Sequence, residues 1–294
     1  MTLIALLLAL VLDRLVTPLA HWREPRWIAG YFGWIGRWAG AGLQAGGMSP
    51  AVVAIVSVAV ALPVLPVAVV AGGLDVWRDS VWMPFAVLVL AFSLGPRNLF
   101  DEAREYLDAE DRGDWDRAKV LAADIIEHDA AQRRALRATA VEDALFVQAN
   151  NRLAGVVFWF LVAGPAGAWL FRVSDLLRRA AIEALPPQAG SARLLQGLHA
   201  LLAWIPARLL ALSYAVAGSF EDARVSWKEV HGALPAGFSE SSDRFLVALG
   251  RGALGAASAA PGAEPAVAAL RLIRRAAVAW LTVIAILTLV AWIA

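Results

Sequence analysis

The amino-acid sequence predicts an all-α polytopic membrane protein with four to six membrane helices and a cytoplasmic amphipathic helical segment. Of its 294 residues, 60% are hydrophobic and 17% are charged, whereas soluble domains carry about 45–50% apolar and about 25% charged residues. The apolar residues form uncharged runs, and the last of these, 276–294, approaches the roughly 20 residues needed to cross a bilayer. Charged residues concentrate instead in 97–152, which holds thirteen of the 25 acidic and nine of the 26 basic side chains.

Each long uncharged run predicts one membrane helix. The runs are continuous rather than alternating, which favours helices over barrel strands because backbone groups in lipid must be satisfied within the segment. Residues 1–12 are interpreted as a retained segment, since they lack a basic n-region and a small-residue cleavage site. Clear spans are expected at 51–73, 80–96, 153–171 and 276–294, with further candidates at the N terminus and at 198–218.

The same pattern divides the chain into five segments. They are the N-terminal membrane segments 1–96, the charged cytoplasmic helical segment 97–152, membrane helices with an intramembrane proline and arginine at 153–220, a loop with a short helix at 221–275, and a C-terminal membrane helix at 276–294. If there are six spans, the loops on one side carry nineteen Lys and Arg residues and those on the other side carry five. The positive-inside rule places the first set in the cytoplasm.

Segment 97–152 has the pattern of amphipathic helices joined by a turn. The turn is expected at Gly113, with Asp114 as a candidate N-cap of the following helix. Apolar residues recur at helical spacing on both sides of it, at Leu99, Ala103 and Leu107 and then at Ala118, Leu121, Ala122 and Ile125. Two interpretations are open: a solvated helical hairpin covering one end of the membrane bundle, or a docking surface for a cytoplasmic protein partner.

Composition argues against several classes of function. There are no cysteines, which removes disulfides and thiolate metal sites, and the net charge of +1 gives no support for nucleic-acid binding. None of the four histidines is spaced as a zinc pair. No P-loop, dinucleotide glycine pattern or serine elbow is present. We therefore predict neither a metal nor a cofactor.

The candidate functional residues are polar side chains close to or inside apolar runs, where an ionised group costs about 2.5–3.5 kcal/mol at mid-helix. The first of these places follows residues 1–12 and contains Asp13 and His21. It is compatible with an interfacial turn in which Arg14 pairs with Asp13. The alternative is a polar site at the membrane surface.

The second place leads into the run 153–171 and contains Glu142, Asn150 and Arg152. These residues could anchor a helix as it enters the membrane, or they could contact a ligand. Within the run, Gly164-Pro165 and Gly167 interrupt the helical pattern. They predict a bend or a close approach between helices.

The third place is the stretch 198–218, which contains Pro206 and Arg208. Pro206 leaves the carbonyl of Leu202 without its amide donor. Arg208 lies about 3 Å further along the helix axis and is too central to reach the headgroups easily. The arginine therefore either faces an internal hydrated cavity or pairs with an acid of another helix.

Four stretches of the chain, taken in order, resemble the AmpE family. They are "MTLIALLLALVLDRL…HW", "DRGDWDRA", "ANNRLAGVVFWFLVAGPAGAWLFR" and "WIPARLLALSYAVAG". The resemblance runs from residue 1 to about residue 227 and resumes at the C-terminal span. It implies an integral inner-membrane protein of Gram-negative bacteria, with a sensory or signalling role connected with β-lactamase induction and cell-wall recycling.

The AmpE family is in turn similar to cobalamin-pathway synthases of the CobD/CbiB type, which condense an aminopropanol unit with adenosylcobyric acid. The shared features here are Leu12-Asp13, Asp129 after an Ile-Ile pair, Glu142, Phe158-Trp159, and "WIPAR" at 204–208. The sequence departs from the synthases at their Gly-Asp-Pro and His-Pro-Val, which become "VTP" and "EPR". Their Glu-Asn and Asp-Gly are reduced to Asn150 and Arg152. The loss of these acids argues against metal-dependent or acid–base chemistry.

We therefore expect an AmpE-like signalling protein of the inner membrane. It would bind an amphipathic, cell-wall-related ligand in a membrane pocket that includes Arg208, and report occupancy through segment 97–152. The predicted ligand-binding residues are Asp13, His21, Asp129, Glu142, Asn150, Arg152, Arg172 and Arg208. The alternative is a membrane-bound amide-forming synthase of the CobD/CbiB type. A small-solute transporter is a third class, but no inverted repeat is apparent.

Overall fold

The described residues of the computed structural model form helices and no strand. The structure describes residues 5–6, 8–9, 26–44, 46–74, 79–95, 98–127, 131, 133–233, 238–255 and 265–293. The helices considered below are α1 (Arg26–Ala39), α2 (Pro50–Leu74), α3 (Asp79–Leu94), α4 (Leu99–Asp111), α5 (Trp115–Ile126), α6 (Arg134–Ala149), α7 (Gly155–Ala184), α8 (Gly190–Ala217), α9 (Phe220–Ala233), α10 (Phe238–Leu254) and α11 (Pro265–Ile293). A short 3-10 helix (Gly40–Gln44) follows α1, and a π-helical turn (Asn150–Ala154) separates α6 from α7.

Five helical runs are long and apolar enough to cross a membrane, which confirms the predicted all-α membrane fold. They are Pro50–Gly73, Val81–Asp111, Arg134–Ala184, Gly190–Ala217 and Pro265–Val290. The predicted spans 51–73, 80–96 and 276–294 each overlap one of these runs, as does the candidate 198–218. The bilayer is therefore the solvent of this chain, and the protein is a multi-pass membrane protein.

The predicted span 153–171 is different, because the chain reverses inside it. Gly164 adopts φ 62° and ψ −154°, and the helix is also broken at Ala163. A Cβ atom built on Gly155 would overlap the ring of Phe171, and one on Gly167 would overlap the carbonyl oxygen of Trp159. In a straight helix, residues 155 and 171 would lie about 24 Å apart. Helix α7 is therefore a hairpin of two antiparallel arms, 155–162 and 165–184.

Hydropathy predicted a single span at 153–171, although the chain reverses there. Hydropathy measures how apolar a run is but carries no information on its direction. The local signal was the pair Gly164-Pro165. The backbone conformation of Gly164 is essentially restricted to glycine, and Pro165 needs no amide partner at the start of the second arm.

One compact unit consists of residues 1–96 and 155–204. Its core is formed by apolar side chains of α1, α2, the second arm of α7 and the start of α8. Two aromatic side chains satisfy backbone carbonyls of the proline-containing helix α2. The Tyr31 hydroxyl donates to the Ala59 carbonyl at 2.8 Å, which is the carbonyl that Pro63 leaves without an amide partner. The indole of Trp169 donates to the Pro63 carbonyl at 2.8 Å.

The second compact unit consists of residues 97–154 and 205–294. The predicted apolar stripes of α4 and α5 lie in its core: Leu99, Ala103, Ala118, Leu121, Ala122 and Ile125 are buried, and Leu107 packs against them. Between the two helices, Gly113 has φ 73°. Asp114 caps α5 by accepting a hydrogen bond from the Arg117 amide at 3.1 Å. The amphipathic helices, the turn and the N-cap were thus predicted correctly.

Segment 221–275 was expected to be a loop with one short helix. Its described residues instead lie largely in α9, in the 17-residue helix α10 and in the start of α11. Helix α10 is part of the packed structure, because Phe245, Leu246 and Leu249 are buried in the core of this second unit. Helix α10 therefore supplies a face against which other elements of the unit pack.

Candidate functional site

A chain of hydrogen-bonded polar side chains links three helices and the π-helical turn in the second unit. Arg152, in the turn, donates from Nη1 to Glu102 of α4 at 2.5 Å. Its Nε donates to the side-chain oxygen of Gln148 at 3.1 Å. The amide of Gln148 donates in turn to the carboxylate of Glu127, which follows α5. We call Glu102, Glu127, Gln148 and Arg152 the polar network.

The π-helical turn that contains Arg152 also contains a second polar side chain. Asn150 is the first residue of the turn and is only 1% exposed. Its side-chain nitrogen donates to the side-chain oxygen of Asn151 at 3.5 Å. Its own side-chain oxygen, Oδ1, is buried and has no hydrogen-bond partner among the described residues. Single π-helical turns within α-helices occur frequently at functional sites.

Glu127 has a backbone conformation that is uncommon for its residue type. It caps the C terminus of α5 with φ 63° and ψ 19°, and among the described residues it alone, glycines aside, has a positive φ. Glycine or asparagine is the usual residue there, and an ordinary side chain is disfavoured by about 1–2 kcal/mol. A glycine at this position would have no carboxylate to accept the hydrogen bond from Gln148.

The sequence prediction included Arg152 and Asn150 but missed Glu102, Glu127 and Gln148. A signal for Glu102 was present, because it lies at helical spacing on the buried face of α4 with Leu99 and Tyr106. Glu127 and Gln148 had no comparable signal. Their pairing joins residues 21 positions apart, and periodicity along one helix does not reveal such a contact.

A neighbouring ion-pair group in the same unit holds α4 against α6. Glu110 is buried and accepts from Arg137 at 2.5 and 3.0 Å and from Arg134 at 2.6 Å. The predicted residue Glu142, on α6, is also buried, with 4% exposure. It lies two helical turns before Asn150.

Arg172 lies in the first compact unit, in a group that we call the arginine cluster. Three guanidinium groups surround the completely buried carboxylate of Asp175: those of Arg172 at 3.3 Å, Arg178 at 2.8 Å and Arg179 at 2.9 Å. His199 of α8 adds its Nε2 at 3.8 Å. A buried carboxylate is expensive to desolvate, and such close cationic partners offset that cost.

Because residue 95 is glycine, the guanidinium of Arg172 can lie close to the backbone there. A Cβ atom at Gly95 would lie 2.9 Å from Nη2 of Arg172, and the glycine has φ 97°. In the same region, the Ser174 hydroxyl lies 3.1 Å from Nδ1 of His199 and 2.7 Å from the Phe171 carbonyl. Ser174 is fully buried within its helix, so these contacts describe a packed polar core and not an accessible nucleophile.

Arg208, on α8, packs against α10. Its Nη1 lies 3.5 Å from the hydroxyl of Ser242, and its guanidinium carbon lies 5.5 Å from the ring centroid of Phe245. The aromatic face is a favourable neighbour for a cation in a desolvated setting. The two interpretations of Arg208 given above both stay predictions.

The carbonyl that Pro206 frees has an identified partner. The indole nitrogen of Trp159, in the first arm of α7, donates to the Leu202 carbonyl at 2.9 Å. Phe158-Trp159 and "WIPAR" were noted in the sequence as separate features. The structure joins them through a backbone acceptor that the proline creates.

The remaining predicted residues, Asp13, His21 and Asp129, lie outside the described residues. Within the part of the chain that the structure does describe, no group of three or more His, Cys, Asp or Glu side chains could hold a metal ion. The site residues that are described therefore fall into two places: Glu142, Asn150, Arg152 and Arg208 in one unit, and Arg172 in the other.

These features define a polytopic helical membrane protein in which the buried carboxylates of Glu102, Glu110 and Asp175 are held in ion pairs. The chain belongs to the AmpE family: the family described as "Regulatory signalling modulator protein AmpE" matches residues 1–293. The resemblance seen in the sequence is thereby confirmed, and the protein is a regulatory, multi-pass bacterial membrane protein of this family.

The chain is also similar to curated proteins named cobalamin biosynthesis protein CobD. The protein from Stutzerimonas stutzeri is 30% identical over 174 residues, which cover 57% of this chain and 55% of that protein. The protein from Chromobacterium violaceum is 29% identical over 182 residues, covering 60% and 55%. The chain thus spans about half the length of the curated relatives it matches. No solved structure matches it.

Proposed function

We propose that this protein is an inner-membrane signalling protein connected with β-lactamase induction and cell-wall recycling, and that it binds an envelope-derived ligand. The family description, a regulatory signalling modulator, supports the signalling role. Ligand binding is supported by the buried side-chain oxygen of Asn150, which has no hydrogen-bond partner among the described residues. A buried polar atom without a partner is unfavourable, and a bound ligand would relieve it.

The proposed ligand-binding residues in the described part of the chain are Glu142, Asn150, Arg152, Arg172 and Arg208. Asp13, His21 and Asp129 are proposed with them on the basis of the sequence. The amphipathic character of the ligand follows from the setting, because polar groups are buried in a protein whose outer surface faces lipid.

The polar network supplies a route from ligand to signal. Arg152 joins Glu102 of α4 to Gln148 of α6, and Gln148 joins Glu127 at the end of α5. A ligand that binds better to one arrangement of Arg152 shifts the population of these contacts. Because the contacts hold α4, α5 and α6 together, the shift changes the surface of 97–152 that a cytoplasmic partner would bind.

The experiment is complementation of β-lactamase induction in a Gram-negative host that lacks its own AmpE protein. Induction is measured as nitrocefin hydrolysis after exposure to a sub-inhibitory β-lactam. The wild-type chain should change the induction curve. Arg208→Leu should insert normally but lose this effect, whereas Arg224→Leu should keep it because Arg224 lies in an exposed ion pair. Wild-type protein without any effect on induction contradicts the proposal.

The second candidate function is an amide-forming synthase of the CobD/CbiB type, and the 30% identity to CobD over 55% of that protein is consistent with it. Against it, Glu102 is already neutralised by Arg152, so this carboxylate is poorly placed to hold a catalytic cation. Growth of a cobinamide-synthase mutant on this gene alone would establish the enzyme. Failure to grow, together with an altered response to β-lactams, would support the regulator.

A further inference from the structure

We propose that Asn150 accepts a hydrogen bond from a neutral O–H or N–H group of the ligand, such as a sugar hydroxyl or an amide. This inference rests on the proposed function, because it names the chemistry of the ligand at that site. It concerns one atom, the side-chain oxygen Oδ1 of Asn150.

The position of this oxygen makes it a binding group. Asn150 is 1% exposed, and Oδ1 has no hydrogen-bond partner among the described residues. The nitrogen of the same side chain is turned toward Asn151, which leaves the oxygen as the available end of the amide. An amide oxygen only accepts hydrogen bonds, so its partner must be a donor.

The surrounding charges narrow the class of donor. The polar network, whose members Gln148 and Arg152 flank Asn150 in the sequence, contains two carboxylates, Glu102 and Glu127, and one guanidinium. Because Arg152 neutralises only one of the two carboxylates, the net charge of the network is negative and disfavours an anionic group. A cationic group would compete with Arg152, which already occupies Glu102. A neutral hydroxyl or amide avoids both conflicts, and envelope-derived sugars carry both groups.

The first test is the stability of the full-length protein in phospholipid nanodiscs without ligand. Asn150→Leu removes the unsatisfied oxygen, but also the nitrogen that donates to Asn151, so its effect is measured in an Asn151→Leu background. Asn151→Leu alone is the reference in the same turn, and it should lower the Tm because Asn151 is buried and its oxygen is bonded. Adding Asn150→Leu to this variant should raise the Tm by about 2–4 °C, because it removes buried polar atoms that have no partner. A lower Tm for the double variant than for Asn151→Leu alone would show that the oxygen is satisfied without ligand, and would overturn the inference.

The second test is binding of the neutral disaccharide N,N′-diacetylchitobiose, measured by titration calorimetry on the same nanodiscs. Asn150→Leu should weaken binding about tenfold, which corresponds to the loss of one buried hydrogen bond. Asn150→Gln keeps a neutral amide oxygen and should bind the disaccharide more tightly than Asn150→Leu. Equal binding by wild type and Asn150→Leu, or no binding by wild type, would overturn the assigned ligand class.

The two proposals fail separately. If Asn150→Leu loses disaccharide binding but β-lactamase induction is unchanged by deletion of the gene, the contact stands and the signalling role is wrong. If induction depends on the protein but disaccharide binding does not depend on Asn150, the signalling role stands and the contact is wrong.

Discussion

Replacing Trp159 with phenylalanine is expected to destabilise the protein through a single lost hydrogen bond. The indole nitrogen of Trp159 donates to the Leu202 carbonyl at 2.9 Å. That carbonyl has no amide partner within its own helix, because proline occupies position 206. Phenylalanine fills most of the same space but has no donor. The buried carbonyl would then be left unsatisfied.

The size of the effect follows from the environment of Leu202, which is buried. An unsatisfied buried acceptor costs about 1–3 kcal/mol, although side-chain hydrogen bonds inside membrane proteins measure closer to about 0.6–1.7 kcal/mol. We expect the hydrogen bond to contribute about 1 kcal/mol. Trimming the indole to a smaller ring adds a separate packing loss.

A double-mutant cycle separates these two parts. Pro206→Ala restores an amide donor for the Leu202 carbonyl, so Trp159→Phe in that background should cost only the packing part. The coupling energy between the two changes should be about 1 kcal/mol. The assay is SDS-induced unfolding in mild detergent, followed by circular dichroism. Trp38→Phe is the control, because Trp38 is 60% exposed, and it should change the free energy of unfolding by less than about 0.5 kcal/mol.

Additive effects would refute this reasoning. If Trp159→Phe costs the same in the wild-type protein as in the Pro206→Ala background, to within about 0.3–0.5 kcal/mol, the indole does not compensate for the proline.

Three further predictions concern stability and use the same unfolding assay. Gly164→Ala should lower the free energy of unfolding by about 1–3 kcal/mol, because alanine is strained at φ 62°. Gly197→Ala should leave it unchanged or raise it, because a Cβ atom there meets open space. Equal losses for the two variants would contradict the hairpin. Glu110→Gln should cost about 3–5 kcal/mol, because Arg137 stays buried without its carboxylate, and a change below about 1 kcal/mol would show that the pair is solvated. Asp175→Asn should destabilise by a similar amount for the same reason, and full stability would mean that the arginine cluster does not depend on this carboxylate.

Hydropathy and periodicity predicted most of the architecture. Long uncharged runs gave the membrane helices, since a backbone in lipid must satisfy its own hydrogen bonds. The stripe of α4 and the N-cap at Asp114 followed from spacing alone, because both depend on residues within one or two helical turns. The same rules placed a span at 153–171, where Gly164 in fact reverses the chain.

The candidate site was predictable only in part. Asn150 and Arg152 stood out because polar residues close to an apolar run are costly. Glu102 carried a weaker signal through its position on the buried face of α4. Glu127 had none, since its partner Gln148 lies on another helix.

The sequence by itself determined that the chain lies in a bilayer and where its apolar helices are. It also determined where a helix must break or lose a hydrogen bond, as at Pro206. Each of these depends on neighbours within a few residues along the chain. Only the tertiary structure decided which group pairs with each buried polar group: Trp159 with the Leu202 carbonyl, three arginines with Asp175, and Glu102 with Arg152. The physical reason is that a buried polar group is satisfied by whatever packing brings within about 3 Å, and that partner can lie anywhere in the chain.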